Sequence, residues 1–316
     1  MAETSKKFNV VFMGTPDFAV PALKALGKNR YNVSMVVTQP DRPKGRGRKT
    51  VFSPVKQAAI ELGYNVFQPS SIKTKEFAEK IIKADPDIIV VAAFGHVLTE
   101  KILGLPKFGA INIHASLLPE YRGPAPVQWA IINGGEKTGV TTMLMDKGVD
   151  TGDILLSQTE EILPEDTAET LMNRLSLIGA DLLIKTIKRL FANNIIPVPQ
   201  NHSGATHAPL LKKNDGRIDW KMPSCKIESF IRGVTPWPGA FTFYNKKRLK
   251  IFKSMPVTSI SDENPGTVLK SFPDELRIAT GQGVLSILEI QGKSGKRLNI
   301  KDFLKGNFIP PGSVLY

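Results

Sequence analysis

The chain has 316 residues, more than one small core usually organises, so a domain of middling size with a smaller companion is expected. Hydrophobic residues at 41% and charged residues at 22% exclude the disordered, collagen-like and fibrous classes. The formal net charge of +13 is uneven, with 18 Lys and Arg against 9 Asp and Glu from Pro209 onward and 24 against 20 before it, a balance that suits either a polyanionic partner such as nucleic acid or plain solubility.

No apolar run approaches the roughly 20 residues that a membrane span requires. The opening "MAETSKKFNVVFMG" lacks both a signal core and an arginine-rich transit pattern, so a cytoplasmic protein with no membrane partner is expected. Cys225 is the single cysteine, and His96, His114, His202 and His207 have no close Cys/His spacing, so no metal is expected.

In chain order, "NVVFMG", "FAVPALKAL", "VSMVVT" and "SPVKQAAIEL" alternate β-rich and helical patterns, with Ser53 placed to cap the second helix and Pro54 at its first position. "EFAEKIIKA", "DIIVVAA" and "GAINIH" continue the rhythm. The predicted fold is α/β, a doubly wound parallel sheet covered by helices on both faces. "GTPDF" at Gly14–Phe18 has one glycine and satisfies neither the dinucleotide fingerprint nor the P-loop, which counts against nicotinamide and ATP chemistry.

The strand "GAINIH" carries two polar residues among apolar ones. Strand side chains alternate, so Asn112 and His114 share one face while Ile111 and Ile113 fill the other. Ligands of such sheets bind at the carboxyl ends of strands, and there an amide and an imidazole can stabilise a developing oxyanion. The bland alternative is a pair of satisfied polar residues at a strand end. After the next strand, "GVTTMLM", the loop "DKGVDTGDI" offers Asp146, Asp150 and Asp153, any of which can orient the histidine or simply cap the loop.

"DTAETLMNRLSLIGADLLIKTIKRLFAN" reads as a long amphipathic helix with Asp166 at its N-cap, closing a domain of residues 1–192. Residues 193–209 read as a linker, with His202 and His207 solvated in it. Residues 210–316 hold one helix, "CKIESFIRGV", and five short strands, "AFTFY", "RLKIFKSM", "GTVLKSF", "ELRIAT" and "VLSILEI", which suggest a small OB-like β-barrel. Trp237, Phe241, Phe243 and Tyr244 suit base stacking as well as packing, but the alternating "FTFY" fits a half-buried strand, so they read as core of that barrel.

"NIHASLLP", followed some thirty residues later by "MDKGVDTGDIL", resembles the active-site signature of the 10-formyltetrahydrofolate-dependent formyltransferases over roughly the first 190 residues. The resemblance implies a Rossmann-like catalytic domain with Asn112, His114 and Asp150 at the catalytic positions. Ser116, Leu117, Leu118 and Pro119, with Gly95, Val97 and the backbone near His96, would then border the folate. The implied cosubstrate is 10-formyltetrahydrofolate, with no bound cofactor and no side-chain nucleophile. "YRGPAP" departs from the family pattern at Pro124, where a small residue such as alanine is also familiar.

The stretch "TQPDRPKGRGRKTVFSPVK" sets Arg42, Lys44, Arg46, Arg48 and Lys49 among Pro43, Gly45 and Gly47, a composition that suits phosphate contact or a solvated surface hairpin. It is similar to the tRNA-gripping loop of the family's tRNA-directed branch. "RIDW" and "TPWPGAFTFY" resemble that branch's C-terminal domain, where Lys246, Lys247 and Arg248 are further candidate tRNA contacts. The implied acceptor is initiator tRNA carrying methionine, bound by a monomeric enzyme. A formyltetrahydrofolate hydrolase and a sugar-nucleotide formyltransferase would share the catalytic residues but not the basic segments. An RNA-binding module without activity would explain the charge and leave "NIHASLLP" without a role.

Overall fold

The computed structural model describes residues 8–44, 49–271, 273–293 and 295–316. The chain divides into two compact units, one of Met1–Pro126, Thr138–Glu161 and Met172–Pro209, the other of Val127–Lys137, Ile162–Leu171 and Leu210–Tyr316.

In the first unit the strands β1 (Asn9–Gly14) and β2 (Asn32–Val37) flank the helix α1 (Val20–Lys28). A ribbon of β3 (Arg42–Lys44) and β4 (Lys49–Val51) follows, then α2 (Pro54–Glu61), β5 (Val66–Phe67), α3 (Lys75–Lys83), β6 (Ile88–Ala92), α4 (Glu100–Leu103) and β7 (Ala110–His114). After α5 (Pro126–Ile132), which apart from Pro126 belongs to the second unit, come β8 (Lys137–Leu144), β9 (Ile154–Glu161) and the long helix α6 (Ala168–Phe191), which belongs to the first unit from Met172 on. Seven strands pair in the order β5-β2-β1-β6-β7-β8-β9.

Val10, Val11, Phe12, Ile88, Ile89 and Val90 are wholly buried, as central strands covered on both faces require. Each such side chain contributes on the order of 1.5–3 kcal/mol by leaving water. Local signals set the helix starts: the Ser53 hydroxyl accepts from the Lys56 amide at 3.1 Å with Pro54 next in line, and Thr74 accepts from Phe77 at 3.2 Å. Helix α6 differs from expectation. It begins at Ala168, and Thr167 Oγ1 accepts from the Thr170 amide while the Asp166 carboxylate accepts from Leu163 N and Thr170 Oγ1, so the cap falls one residue later than predicted.

The sheet is parallel from β5 through β7, but β8 lies antiparallel to β7, with His114 opposite Thr141 and Ile111 opposite Leu144. The reason is the connection. It leaves the carboxyl end of β7, and β8 starts beyond that same end at Lys137, so the strand can only run back.

In the second unit α7 (Ser224–Gly233) precedes β10 (Ala240–Tyr244), β11 (Lys247–Val257), β12 (Val268–Lys270), β13 (Leu276–Ala279), β14 (Val284–Gln291), β15 (Arg297–Asn299) and α8 (Ile300–Gly306). The six strands form a curled antiparallel sheet in the order β10-β11-β14-β13-β12, with β15 also on β14. Two register shifts along β11, between Ile251 and Ser254, bend that strand as bulges do. The three-residue β15 is additional to the five strands expected.

Trp220 of "RIDW" is buried in this unit's core, its indole N–H donating to Thr242 Oγ1 at 3.0 Å. Phe241 is buried and Phe243 and Tyr244 are half-buried, whereas Trp237 is 53% exposed and not core. Among the described residues no helix is long and apolar enough to cross a membrane.

Candidate active site

Strand β7 brings Asn112 and His114 to one face at its carboxyl end, beside the end of β6, where Ala92 pairs with Ile113. His114 is 6% exposed, and its Nε2 lies 3.0 Å from the Tyr121 carbonyl, an acceptor, so the ring donates there. Its Nδ1 faces Asp150 Oδ2 at 3.6 Å, within ion-pair range and beyond a hydrogen bond. Asn112 Nδ2 donates to Asp150 Oδ1 at 3.3 Å, and the Gly123 amide donates to Asp150 Oδ2 at 2.8 Å.

Asp150 reaches this place because the β8–β9 loop folds back along the sheet. Met145 N bonds the Ala110 carbonyl at the start of β7, yet five residues later the chain is level with Asn112 and His114. Two features allow the reversal. Asp150 itself takes a left-handed backbone (φ 54), and Gly152 packs so closely that a Cβ there would sit 1.7 Å from the Leu144 carbonyl oxygen. The other two candidate aspartates do different work: Asp146 accepts from Gly148 N and Thr151 Oγ1 inside the loop, and the Asp153 carbonyl accepts from Leu144 N.

The "SLLP" segment is pinned from below. Ser116 is wholly buried, with its hydroxyl donating to the Glu120 carbonyl at 2.6 Å. Thr141 Oγ1 donates to the Ser116 carbonyl at 2.7 Å and accepts from Leu118 N at 3.1 Å. Leu118 is buried, while Leu117 and Pro119 are half-exposed. Gly95 (φ 80), His96 and Val97 follow β6 in an exposed connection, with the preceding Phe94 carbonyl held by Gln39 Nε2 at 3.0 Å.

The basic stretch forms the β3–β4 ribbon, with Arg42 opposite Val51 and Lys44 opposite Lys49; Arg42 is exposed, and Arg46 and Arg48 lie outside the described residues. At its base Asp41 accepts from Lys56 Nζ at 2.5 Å and from Gln68 Nε2 at 2.8 Å, and these two bonds hold its carboxyl below the ordinary aspartate range. In the second unit Asn245 (φ 47) and Lys246 (φ 61) make the tight turn between β10 and β11. Lys246 and Lys247 are exposed, whereas the Arg248 guanidinium lies 3.6 Å over the Phe241 ring.

Three contributors carried no sequence signal: the Tyr121 carbonyl, the Gly123 amide and Gln200. The stretch read as a linker is laced to the first unit, with Val198 paired to Ile154 and His207 to Arg122. His202 is exposed, yet its Nδ1 lies 3.1 Å from Arg122 Nη2. Among the described residues no cluster of His, Cys, Asp and Glu is arranged to hold a metal ion.

The formyl transferase family profile matches residues 6–187, and that of the formyl transferase C-terminal domain matches residues 210–307. The methionyl-tRNA formyltransferase of Caldanaerobacter subterraneus subsp. tengcongensis is 51% identical over 97% of this chain and 99% of its own length, and that of Alkaliphilus oremlandii is 47% identical over the same shares. Among solved structures, a methionyl-tRNA formyltransferase from Clostridium thermocellum superposes with a TM-score of 0.58 at 22% identity, covering 80% of this chain and 95% of that one. An N-formyltransferase from Helicobacter canadensis, solved with folinic acid and dTDP-3-aminofucose, gives 0.65 at 22% identity over 89% and 98%. The chain therefore belongs to the formyl transferase family, among the methionyl-tRNA formyltransferases.

Proposed function

We propose that this protein moves a formyl group from N10 of 10-formyltetrahydrofolate to the α-amine of methionine esterified to initiator tRNA, with Asn112, His114 and Asp150 as the catalytic residues. The observation that carries the assignment is their convergence at the carboxyl end of β7, where Asp150 faces both other side chains.

The neutral amine attacks the formyl carbon, forming the new C–N bond, and collapse of the tetrahedral intermediate breaks the bond to N10. An amide nitrogen carries two hydrogens, and one of those on Asn112 is given to Asp150; the other is available to the oxyanion. With its Nε2–H given to Tyr121, His114 carries a hydrogen on Nδ1 only when protonated; Nδ1 is not committed to a hydrogen bond at 3.6 Å, so the imidazolium can supply a second donor. Removing one such donor costs about 10²-fold to 10³-fold in rate. Asp150 holds both groups in orientation and guides a water that relays the amine proton to N10. No nucleophilic side chain is needed, because an α-amine with a pKa near about 8 is already partly neutral.

In this reading Gly95, Val97 and Ser116–Pro119 border the folate. Arg42, Lys44, Arg46, Arg48 and Lys49 grip the acceptor end of tRNA, and Lys246, Lys247 and Arg248 touch it from a basic domain of residues 210–316. A catalytic domain of residues 1–192 is joined to it by residues 193–209, and the protein works as a cytoplasmic monomer. The test is incubation with 10-formyltetrahydrofolate and methionyl initiator tRNA: formylmethionine on the tRNA is expected. Release of formate without tRNA formylation would point to a hydrolase instead.

A further inference from the structure

Gln200 lies in none of the motifs, yet it is 6% exposed and uses both ends of its amide. Its Oε1 accepts from Nε and Nη2 of Arg122 at 3.1 and 2.7 Å. Its Nε2 donates to the Gly152 carbonyl at 2.7 Å and to the Asp150 carbonyl at 3.0 Å. One end therefore holds the β8–β9 loop at Asp150, and the other holds the Tyr121–Gly123 segment at Arg122. Those are the two segments that meet at the site: Tyr121 accepts from His114, and Gly123 donates to Asp150.

We infer that Gln200 is a positioning residue for formyl transfer, acting through Asp150; the inference rests on the catalytic reading above. Arg122 is as buried as Gln200, and among the described residues its side chain hydrogen-bonds only to Gln200 and His202 and makes no ion pair with a carboxylate. A buried guanidinium needs its donors matched, and a loop reversal carrying two inward carbonyls needs a donor. A primary amide is the one neutral side chain that satisfies both, because it pairs a carbonyl oxygen with two N–H groups on one plane. Asp150 sits in a left-handed backbone that an L-residue adopts at a cost, and the Gln200 amide adds a restraint on its backbone there. Misplacement of a reacting group by about 1 Å costs on the order of 10²-fold in rate.

The substitutions separate the two ends. Gln200→Glu keeps an acceptor for Arg122 but sets oxygen against the carbonyls of Asp150 and Gly152. Gln200→Met keeps similar volume and removes both polar ends, which gives a second route should the glutamate variant not fold. Single-turnover and steady-state formylation of methionyl initiator tRNA are measured for the parent, both variants, Asp150→Asn and the Gln200→Glu/Asp150→Asn double variant, with amide exchange of the 146–153 loop as a structural readout. A kcat lower by about 10-fold to 100-fold is expected for Gln200→Glu, with both KM values within about twofold and faster exchange in the loop. In the Asp150→Asn background the same change should cost less than about twofold, because both act through one carboxylate. A kcat within twofold of the parent for both Gln200 variants, or an effect that multiplies with Asp150→Asn, overturns the inference while leaving the catalytic reading intact. Parental turnover by Asp150→Asn overturns the catalytic reading itself, and the role of Gln200 with it.

Discussion

Asp150→Asn tests the centre of the site, because it keeps the shape and removes the charge. Oδ1 accepts from Asn112 and Oδ2 from the Gly123 amide, the latter oxygen also facing His114. An asparagine has one oxygen and one NH2 group. If its oxygen turns to Gly123, its NH2 meets the NH2 of Asn112; if it turns to Asn112, its NH2 meets the Gly123 N–H. Either way one donor loses its acceptor. A hydrogen bond to a charged group contributes about 1.5–3 kcal/mol. If that is expressed in the transition state, turnover falls about 10-fold to 150-fold, since about 1.4 kcal/mol is tenfold. Single-turnover transfer at saturating folate and tRNA reads the rate directly. A variant within twofold of the parent would refute the argument that this carboxylate organises Asn112 and His114.

Three further outcomes are expected. Gly123→Ala should lower thermal stability by about 1–3 kcal/mol and slow transfer, because Gly123 has φ 117 and a Cβ there would sit 2.8 Å from the Ala208 carbonyl oxygen; an unchanged melting temperature would refute the strain. Arg46→Ala with Arg48→Ala should lower the salt slope of kcat/KM for tRNA by about 0.7–0.9 per lost phosphate contact, with folate affinity unchanged, whereas an unchanged slope with weakened folate binding would place the stretch at the cosubstrate. The Asp41 carboxyl is held below its ordinary range by Lys56 and then Gln68, so its stabilising effect is complete above about pH 4 and is lost as pH falls through the lower folded value. Asp41→Asn should therefore flatten the acid side of the stability profile, and parallel profiles for parent and variant would contradict that.

The α/β architecture was legible because its strands are marked by continuous apolar runs and its helices by local starts such as Ser53-Pro54. Strand direction was not legible. Periodicity records which faces a strand buries and nothing about which way it runs, so the antiparallel β8 follows only from where its connection begins. Strand β15 escaped because three residues, "RLN", carry no period, and the cap of α6 moved from Asp166 to Thr167 because both residue types serve equally well at that position.

The site divides along the same physical line. Asn112 and His114 could be read because a polar pair inside an apolar strand must either be satisfied or be used, and alternation puts both on one face. Spacing could not choose among Asp146, Asp150 and Asp153, because the choice depends on a backbone reversal that Gly152 permits and that Asp150 enters with a left-handed conformation. The Tyr121 carbonyl and the Gly123 amide are backbone groups, available at nearly every position, and only the path of the chain makes them partners of His114 and Asp150. Gln200 shows the limit most clearly. A polar residue between prolines reads as loop chemistry, and the 50 and 78 residues separating it from Asp150 and Arg122 hide that its two amide ends face a carbonyl pair and a buried cation at once. Local rules say what each side chain can donate or accept. Which of those capacities is called upon is decided by burial, since a polar group cut off from water must find its partner in whatever the fold brings within reach.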